Sequence, residues 1–397
     1  MPETWAYGTL ADLVEVGSGI KSGPFGTALS AAEYGQEGVP VISVGEVGYG
    51  EFRLRGETPR VGESVTSRLP EYILREGDIV FGRKGAVDRS AWVSPHEEGW
   101  FLGSDGLRVR THSGADSRFV AFQLRGYAAR EWLLQHAGGS TLLSLNQGTL
   151  ARVPVAIPPL AEQQAIAEVL GALDDKIAAN TALAATADEL VRAEYVALHA
   201  DCVRIEEVAD SPRSGVDPSA IDPDELYVGL EHVGRRRMWL DGGGRASEVT
   251  STKSRFAPGD VLFGKLRPYF HKVVSAPAAG ICSTDILVVR AREQSTSSSL
   301  MAALASDAVV DAVVAASEGT RMPRTSWKDL AAVEIKWPAG TQLERYVARL
   351  NAIRDAAIAV LAENRALAAT RDALLPQLMS GQLRLAEAER VAEQAGA

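Results

Sequence analysis

The run GDVLFGKL, Gly259 to Leu266, has the Gly-x-x-x-x-Gly-Lys spacing of a loop that cradles phosphates. Its chemistry does not follow the spacing. Asp-Val-Leu-Phe is strand-like where a glycine-rich loop must turn its amides inward, and Leu266 stands where a Mg²⁺-binding Ser or Thr belongs. Gly17 to Gly19 (GSG) does not complete a dinucleotide fingerprint, and no Asn-Pro-Pro-aromatic motif of an adenine methyltransferase is present. The six histidines, His96, His112, His136, His199, His232 and His271, show neither metal-ligand nor triad spacing. His232, His271 and Cys282 are a conceivable metal set, but structural roles explain them more simply. No metal and no catalytic residue is expected. What remains is a set of mostly cationic residues at strand ends and loops: Lys21, Ser22, Phe25, Arg83 and Lys84 in the first half, and Arg235, Arg236, Arg237, Lys265, Arg267, Arg321 and Arg324 in the second. Taken singly, each cation is more simply a solvated surface charge; as a set these residues are candidates for contact with a partner.

The elements that carry these residues occur twice. GDIVFGRKGA, Gly77 to Ala86, recurs as GDVLFGKLRP, Gly259 to Pro268, at an offset of 182; SDGLRVR, Ser104 to Arg110, recurs as TDILVVR, Thr284 to Arg290, at 180. Gly139 then matches Gly319, Leu150 Leu330, Val153 Val333 and Pro158 Pro338, and ALAAT at Ala182 to Thr186 returns at Ala366 to Thr370. Ordered matches at nearly constant spacing indicate an internal repeat.

Each copy is a Gly- and Val-rich globule followed by a long helix. Short apolar runs bounded by turn signals predict strands, with one helix near Ser117 to His136, giving a mixed α/β (α+β) domain over residues 1–157. Over 158–200 Gly and Pro nearly vanish and Ile166, Leu170, Leu173, Ile177, Asn180, Leu183 or Ala184, Ala187 and Val191 recur at threes and fours. The second domain spans 201–340 and the second helical segment 341–385, with a seam of Tyr346, Leu350, Ile353, Ala357, Val360, Asn364, Leu367 and Leu374, and with Pro376 and Gly381 at its end. Residues 386–397 are expected to be a disordered tail. Helices of about 57 Å at ~1.5 Å per residue are unstable alone with such stripes. They are expected to pair as a coiled coil in which Asn180 and Asn364 fix register, although exposure on the helix face explains these two residues equally well.

IPPLAEQQAIAEVLGALDDKIAANTALAATADELVRAEY, Ile157 to Tyr195, resembles the first conserved helical region of the specificity (S) subunit of type I restriction-modification systems. IKSGPFGTALSAAEYGQEGVPVISVGEV, Ile20 to Val47, is similar to the opening of a target recognition domain in that family. LREGDIVFGRKGAVDRSAWV resembles its middle strand block, and LLPQLMSGQLRL, Leu374 to Leu385, the close of the second helix. WPAGTQLE in place of IPPLAEQQ makes the start of the second helix divergent. The resemblance implies two recognition domains and two helices packed as an antiparallel coiled coil around a pseudo-two-fold axis, each domain reading half of a bipartite site in double-stranded DNA. It also implies two methyltransferase (M) subunits, which carry S-adenosylmethionine, optional motor (R) subunits, and no catalysis or cofactor in this chain. A coiled-coil scaffold in another phage-defence assembly is the alternative.

The charge of −10, from 41 basic and 51 acidic residues, looks unfavourable for phosphate contact. By segment it is −3 over 1–157, −5 over 158–200, −2 over 201–340 and 0 over 341–397. The first helix is the acidic part, and its Asp174-Asp175 pair reads as a solvated or partner-facing patch; the domains are nearly neutral. Two cysteines, no signal-like start and no long apolar run lead to the expectation of a cytoplasmic protein without a membrane span.

Overall fold

The computed structural model describes residues 5–139, 141–317, 322–383 and 385–396, apart from the side chains of residues 27 and 248. The chain divides into two compact units, Met1–Lys176 with Leu367–Ala397, and Ile177–Ala366. It is a mixed α/β chain with two long helices, Leu160–Val196 and Gly340–Met379, of 37 and 40 residues. Each unit therefore contains part of both helices. Among the described residues no single helix is long and apolar enough to cross a membrane.

In the first unit an antiparallel four-stranded sheet runs in the order Ile20–Ser22, Gly106–Val109, Ile79–Gly82, Ser90–Trp92. A second, three-stranded sheet pairs Val39–Ile42 in parallel with Phe101–Leu102, and Ala6–Thr9 closes on Pro154–Ile157. The second unit repeats these pairings. Its four-stranded sheet is Ala209–Asp210, Ile286–Ala291, Val261–Gly264, Val273–Ser275; Leu226–Val228 lies parallel to Gly280–Cys282; Cys202–Arg204 closes on Glu334–Lys336. Its second sheet is larger, with five strands. The run with phosphate-loop spacing is thus the wholly buried strand Val261–Gly264. Continuous apolar runs are what strands covered on both faces require.

One buried ion pair recurs at the base of each four-stranded sheet. Arg110 donates two hydrogen bonds of 2.7 Å to Asp78, and Arg290 donates two of 2.7 Å to Asp260. Each carboxylate also accepts a nearby backbone N–H, from Arg75 at 2.8 Å and from Ala257 at 2.7 Å. Both aspartates are at most 1% exposed. These are the Asp and the final Arg of the repeated sequence blocks.

The expected helix from Ser117 to His136 is two helices, Ser117–Arg125 and Tyr127–His136. Gly126 sits between them in extended conformation, consistent with its poor helix propensity. Residues beyond 386 are not a disordered tail: Leu385–Ala395 is a helix that buries Ala388 and Ala392, one turn apart. An Ala- and Glu-rich run is a good helix former, and the small side chains allow close packing.

Within the second unit the two long helices run in opposite directions. Thr181 meets Asn364, Asn180 donates to Glu363 at 2.7 Å, and Glu194 pairs with Arg349. Both seam asparagines are buried, which removes the reading of simple exposure; Asn364 Nδ2 donates to Ile177 O (3.2 Å) and Thr181 Oγ1 (3.1 Å). Ala184, Val191, Tyr346, Leu350, Ala357 and Leu361 are buried in the same core cluster. Ile177, Ile353 and Val360 are only half-buried, and Leu183 is exposed while Ala184 takes the inward position. In the first unit Ile166, Leu170, Leu173, Leu367 and Leu374 are buried. The Asp174-Asp175 pair, expected as a solvated or partner-facing patch, divides there: half-buried Asp174 accepts from Arg125 (2.9 Å) and Arg371 (2.7 Å), whereas exposed Asp175 pairs with Arg118. A half-buried carboxylate beside the globule collects the arginines that neutralise it.

Asp78→Ala is expected to destabilise the protein by about 3–5 kcal/mol, because it strands the largely buried Arg110; an unchanged urea midpoint contradicts this. Asn364→Leu is expected to raise the midpoint, since Asn364 Oδ1 is buried without a partner among the described residues. A lowered midpoint goes against that account.

Candidate nucleic-acid interface

In the first unit the chain leaves the strand Ile79–Gly82 as Arg83, Lys84 and Gly85. The Arg83 N–H donates to Asp105 O (2.8 Å) and its carbonyl accepts from Leu145 N–H (2.8 Å), so three segments converge at one end of the sheet. The Arg83 guanidinium lies 4.1 Å over the exposed Phe25 ring and 3.4 Å from Ser104 O. Lys84 pairs with Asp105 at 3.0 Å. Ser22, opposite Leu107 in the sheet, accepts from Gln147 at 3.3 Å. Lys21 lies 4.7 Å over Tyr72 and 3.9 Å from Glu71. The structure thus groups Ser22, Phe25, Arg83 and Lys84, with part of their charge neutralised locally.

The second unit repeats the backbone wiring. The Lys265 N–H donates to Asp285 O (2.8 Å), its carbonyl accepts from Thr325 N–H (3.0 Å), and its Nζ reaches Thr284 O (2.7 Å), as Arg83 reaches Ser104 O. Arg324 pairs with Asp285 at 3.2 Å, the counterpart of Lys84 on Asp105. Arg236 pairs with Asp307 (2.9 Å) and Arg237 with buried Asp188 (3.5 Å), so these two serve the fold more than an open cationic surface. Arg321 lies outside the described residues. Arg235 stacks 4.1 Å over Phe270, with Arg267 5.9 Å from the same ring. Neither arginine has an ion pair among the described residues, and both are exposed.

The backbone singles out Arg267. By the repeat offset it stands at the place of Gly85; Gly85 has φ 76° and Arg267 φ 51°. Glycine takes this left-handed conformation freely, whereas a side chain there costs energy. The second unit carries an arginine where the first has the unstrained residue, and such a conformation persists only where its surroundings over-determine it.

Several partners were invisible to spacing arguments. Asp105 and Asp285 lie inside the repeated blocks, so repetition itself was their signal. The cluster of Tyr49, Asp88 and Arg130, with Tyr49 Oη donating to Asp88 at 3.0 Å, had none. No group of three or more His, Cys, Asp or Glu is placed to hold a metal among the described residues. His271 is committed to Ala305 O (2.9 Å), His232 accepts from Gly229 N–H, and burial pushes the Cys282 thiol up to about 12. What is assembled is a surface of guanidinium and ammonium groups backed by aromatic rings, suited to phosphates and base faces.

Residues 2–187 match the family described as the type I restriction modification DNA specificity domain. The type I restriction enzyme EcoDI specificity subunit of Escherichia coli is 25% identical over 156 residues, 37% of this chain and 33% of that protein. The match therefore spans about a third of this curated relative's length. The crystal structure of a type I restriction-modification S subunit from M. genitalium shares the fold, with a TM-score of 0.58 at 13% identity over 94% of this chain and 96% of that one. The HsdS subunit from Thermoanaerobacter tengcongensis aligns at a TM-score of 0.35 and 16% identity over 96% and 98%, too low to support an argument.

Arg267→Gly is expected to leave stability unchanged or raise it by about 1 kcal/mol, by removing left-handed strain, while weakening duplex DNA binding by about 1–3 kcal/mol if the guanidinium meets a base edge. Undiminished binding with unchanged site preference takes Arg267 off the interface.

Proposed function

We propose, from the match of residues 2–187 to the type I restriction modification DNA specificity domain, that the chain is a non-catalytic subunit that gives a restriction-modification complex its DNA sequence preference. Each unit reads one half of a bipartite site with the loops at the end of its four-stranded sheet. The observation that carries this reading is the repetition of one wiring pattern around a cation, Arg83 in the first unit and Lys265 in the second. A fold that holds the same two backbone bonds behind a surface cation twice is built to present that position.

The long helices, of 37 and 40 residues, act as an antiparallel coiled coil. The two second sheets differ in strand number, so the half-sites differ and the target is asymmetric and interrupted. The helical segments recruit methyltransferase subunits, which supply S-adenosylmethionine and the transferred methyl group. Near-neutral recognition units give little counterion release, so the chain alone binds DNA weakly and the methyltransferases complete the clamp.

Methylome sequencing with and without the gene tests this. One interrupted, asymmetric methylation motif is expected to disappear on deletion; a palindromic motif, or no change, counts against the reading. The purified chain is expected to bind duplex DNA only in the non-specific range, with Kd on the order of 10⁻⁴–10⁻⁶ M at physiological salt. Tight specific binding by the chain alone overturns the role given to the methyltransferases.

A further inference from the structure

All three non-glycine residues with positive φ among the described residues, Arg236 (56°), Arg267 (51°) and His271 (53°), fall in two loops of the second unit. The loops are joined: Arg236 N–H donates to His271 O (2.9 Å), and Arg235 stacks on Phe270. Backbone held in sparsely populated conformations persists only where its surroundings over-determine it, and such strain gathers at functional positions. The source of the constraint is therefore informative.

It comes from the C-terminal half of the first long helix. Asp188 and Arg192 are four residues apart and so share one helix face. Asp188, 3% exposed, accepts the Met238 N–H at 3.0 Å and faces the Arg237 guanidinium at 3.5 Å. Arg192 donates to the carbonyl of Arg236 at 2.8 Å. Together they grip three consecutive residues, 236 to 238, directly after Arg235. On the far side Asp307 holds Arg236 (2.9 Å) and faces His271 Nδ1 (3.5 Å), whose Nε2 is engaged by Ala305 O. Burial pushes the Asp188 carboxyl up and the Arg192 guanidinium down from their ordinary values, so holding this pair inside has an energetic cost. Among the described residues neither side chain has a hydrogen bond or ion pair to the other long helix. Both are directed at the loop.

We infer that Asp188 and Arg192 are positioning residues: the helix uses them to lock the Arg235 and Arg267 loops into one rigid platform, and base preference in the second half-site depends on them although neither touches DNA. This rests on the recognition role proposed above. It ties half-site reading to the first long helix, so a change on the helix alters which bases are preferred.

The test uses the full chain in the complex purified from its host. The variants are Asp188→Asn, which keeps an acceptor for Met238 but loses the charge facing Arg237, Arg192→Met, and the conservative Arg192→Lys. Hydrogen exchange at the Arg236 and Met238 amides is read beside selection from a randomised duplex DNA library. The second half-site is the one altered by Arg267→Gly. Asp188→Asn and Arg192→Met are expected to speed exchange at these amides and to reduce base preference in that half-site by about tenfold, leaving the other half within about twofold; Arg192→Lys is expected to restore both. Unchanged amide protection, equal loss in both half-sites, or loosened amides with intact preference each overturns the inference. A wild-type complex that selects no bipartite site overturns the recognition reading instead, which separates the two failures.

Discussion

In the second unit the apolar stripes of both long helices are buried in one core with the globule, and the organisation of that unit follows from this constraint. An isolated amphipathic helix of this length has no reason to remain ordered in water. The first helix contributes Asp174 to the unit formed by the N-terminal globule and Asp188 to the unit formed by the second, while Arg371 of the second helix serves the first of these units and Arg349 the second. The N-terminal unit is consequently discontinuous: Met1–Lys176 is completed by Leu367–Ala397. Contacts between residues nearly two hundred positions apart impose a large loop-closure cost on folding.

Inside each unit a second constraint acts, the burial of a carboxylate whose oxygens accept from a fork of donors. Asp78 with Arg110, and Asp260 with Arg290, connect adjacent strands of the four-stranded sheet through two hydrogen bonds apiece. Such pairs add little net stability compared with apolar packing, yet leaving one partner alone is costly. They favour one register of the sheet over its neighbours, and register decides where Arg83 and Lys265 emerge.

Charge at the candidate interface is regulated by the same local economy of partners. Lys84, Arg236, Arg237 and Arg324 have carboxylates beside them, whereas Arg235 and Arg267 lean on an aromatic ring. A ring orients a guanidinium without neutralising it, so these two keep their charge available to a phosphate or a guanine edge.

The sequence by itself determined the duplication, the mixed α/β domains, the long helices and their approximate seams, because each is written in local periodicity or in repetition. It also placed Asn180 and Asn364 on the seam, though not their burial. Tertiary structure decided what local pattern does not encode. Asp174 and Asp175 read as a solvated or partner-facing patch, but Asp174 is half-buried between arginines from distant segments and only Asp175 stays exposed. Residues 386–397 looked like a fraying tail, but two alanines one turn apart find a surface to bury against. Among ten candidate cations, spacing gave no ranking, since a charge's availability depends on which carboxylate lies within a few ångströms. The strained backbone of Arg267 is legible only as a dihedral angle, and its meaning emerged from the repeat, which set a glycine at the matching place.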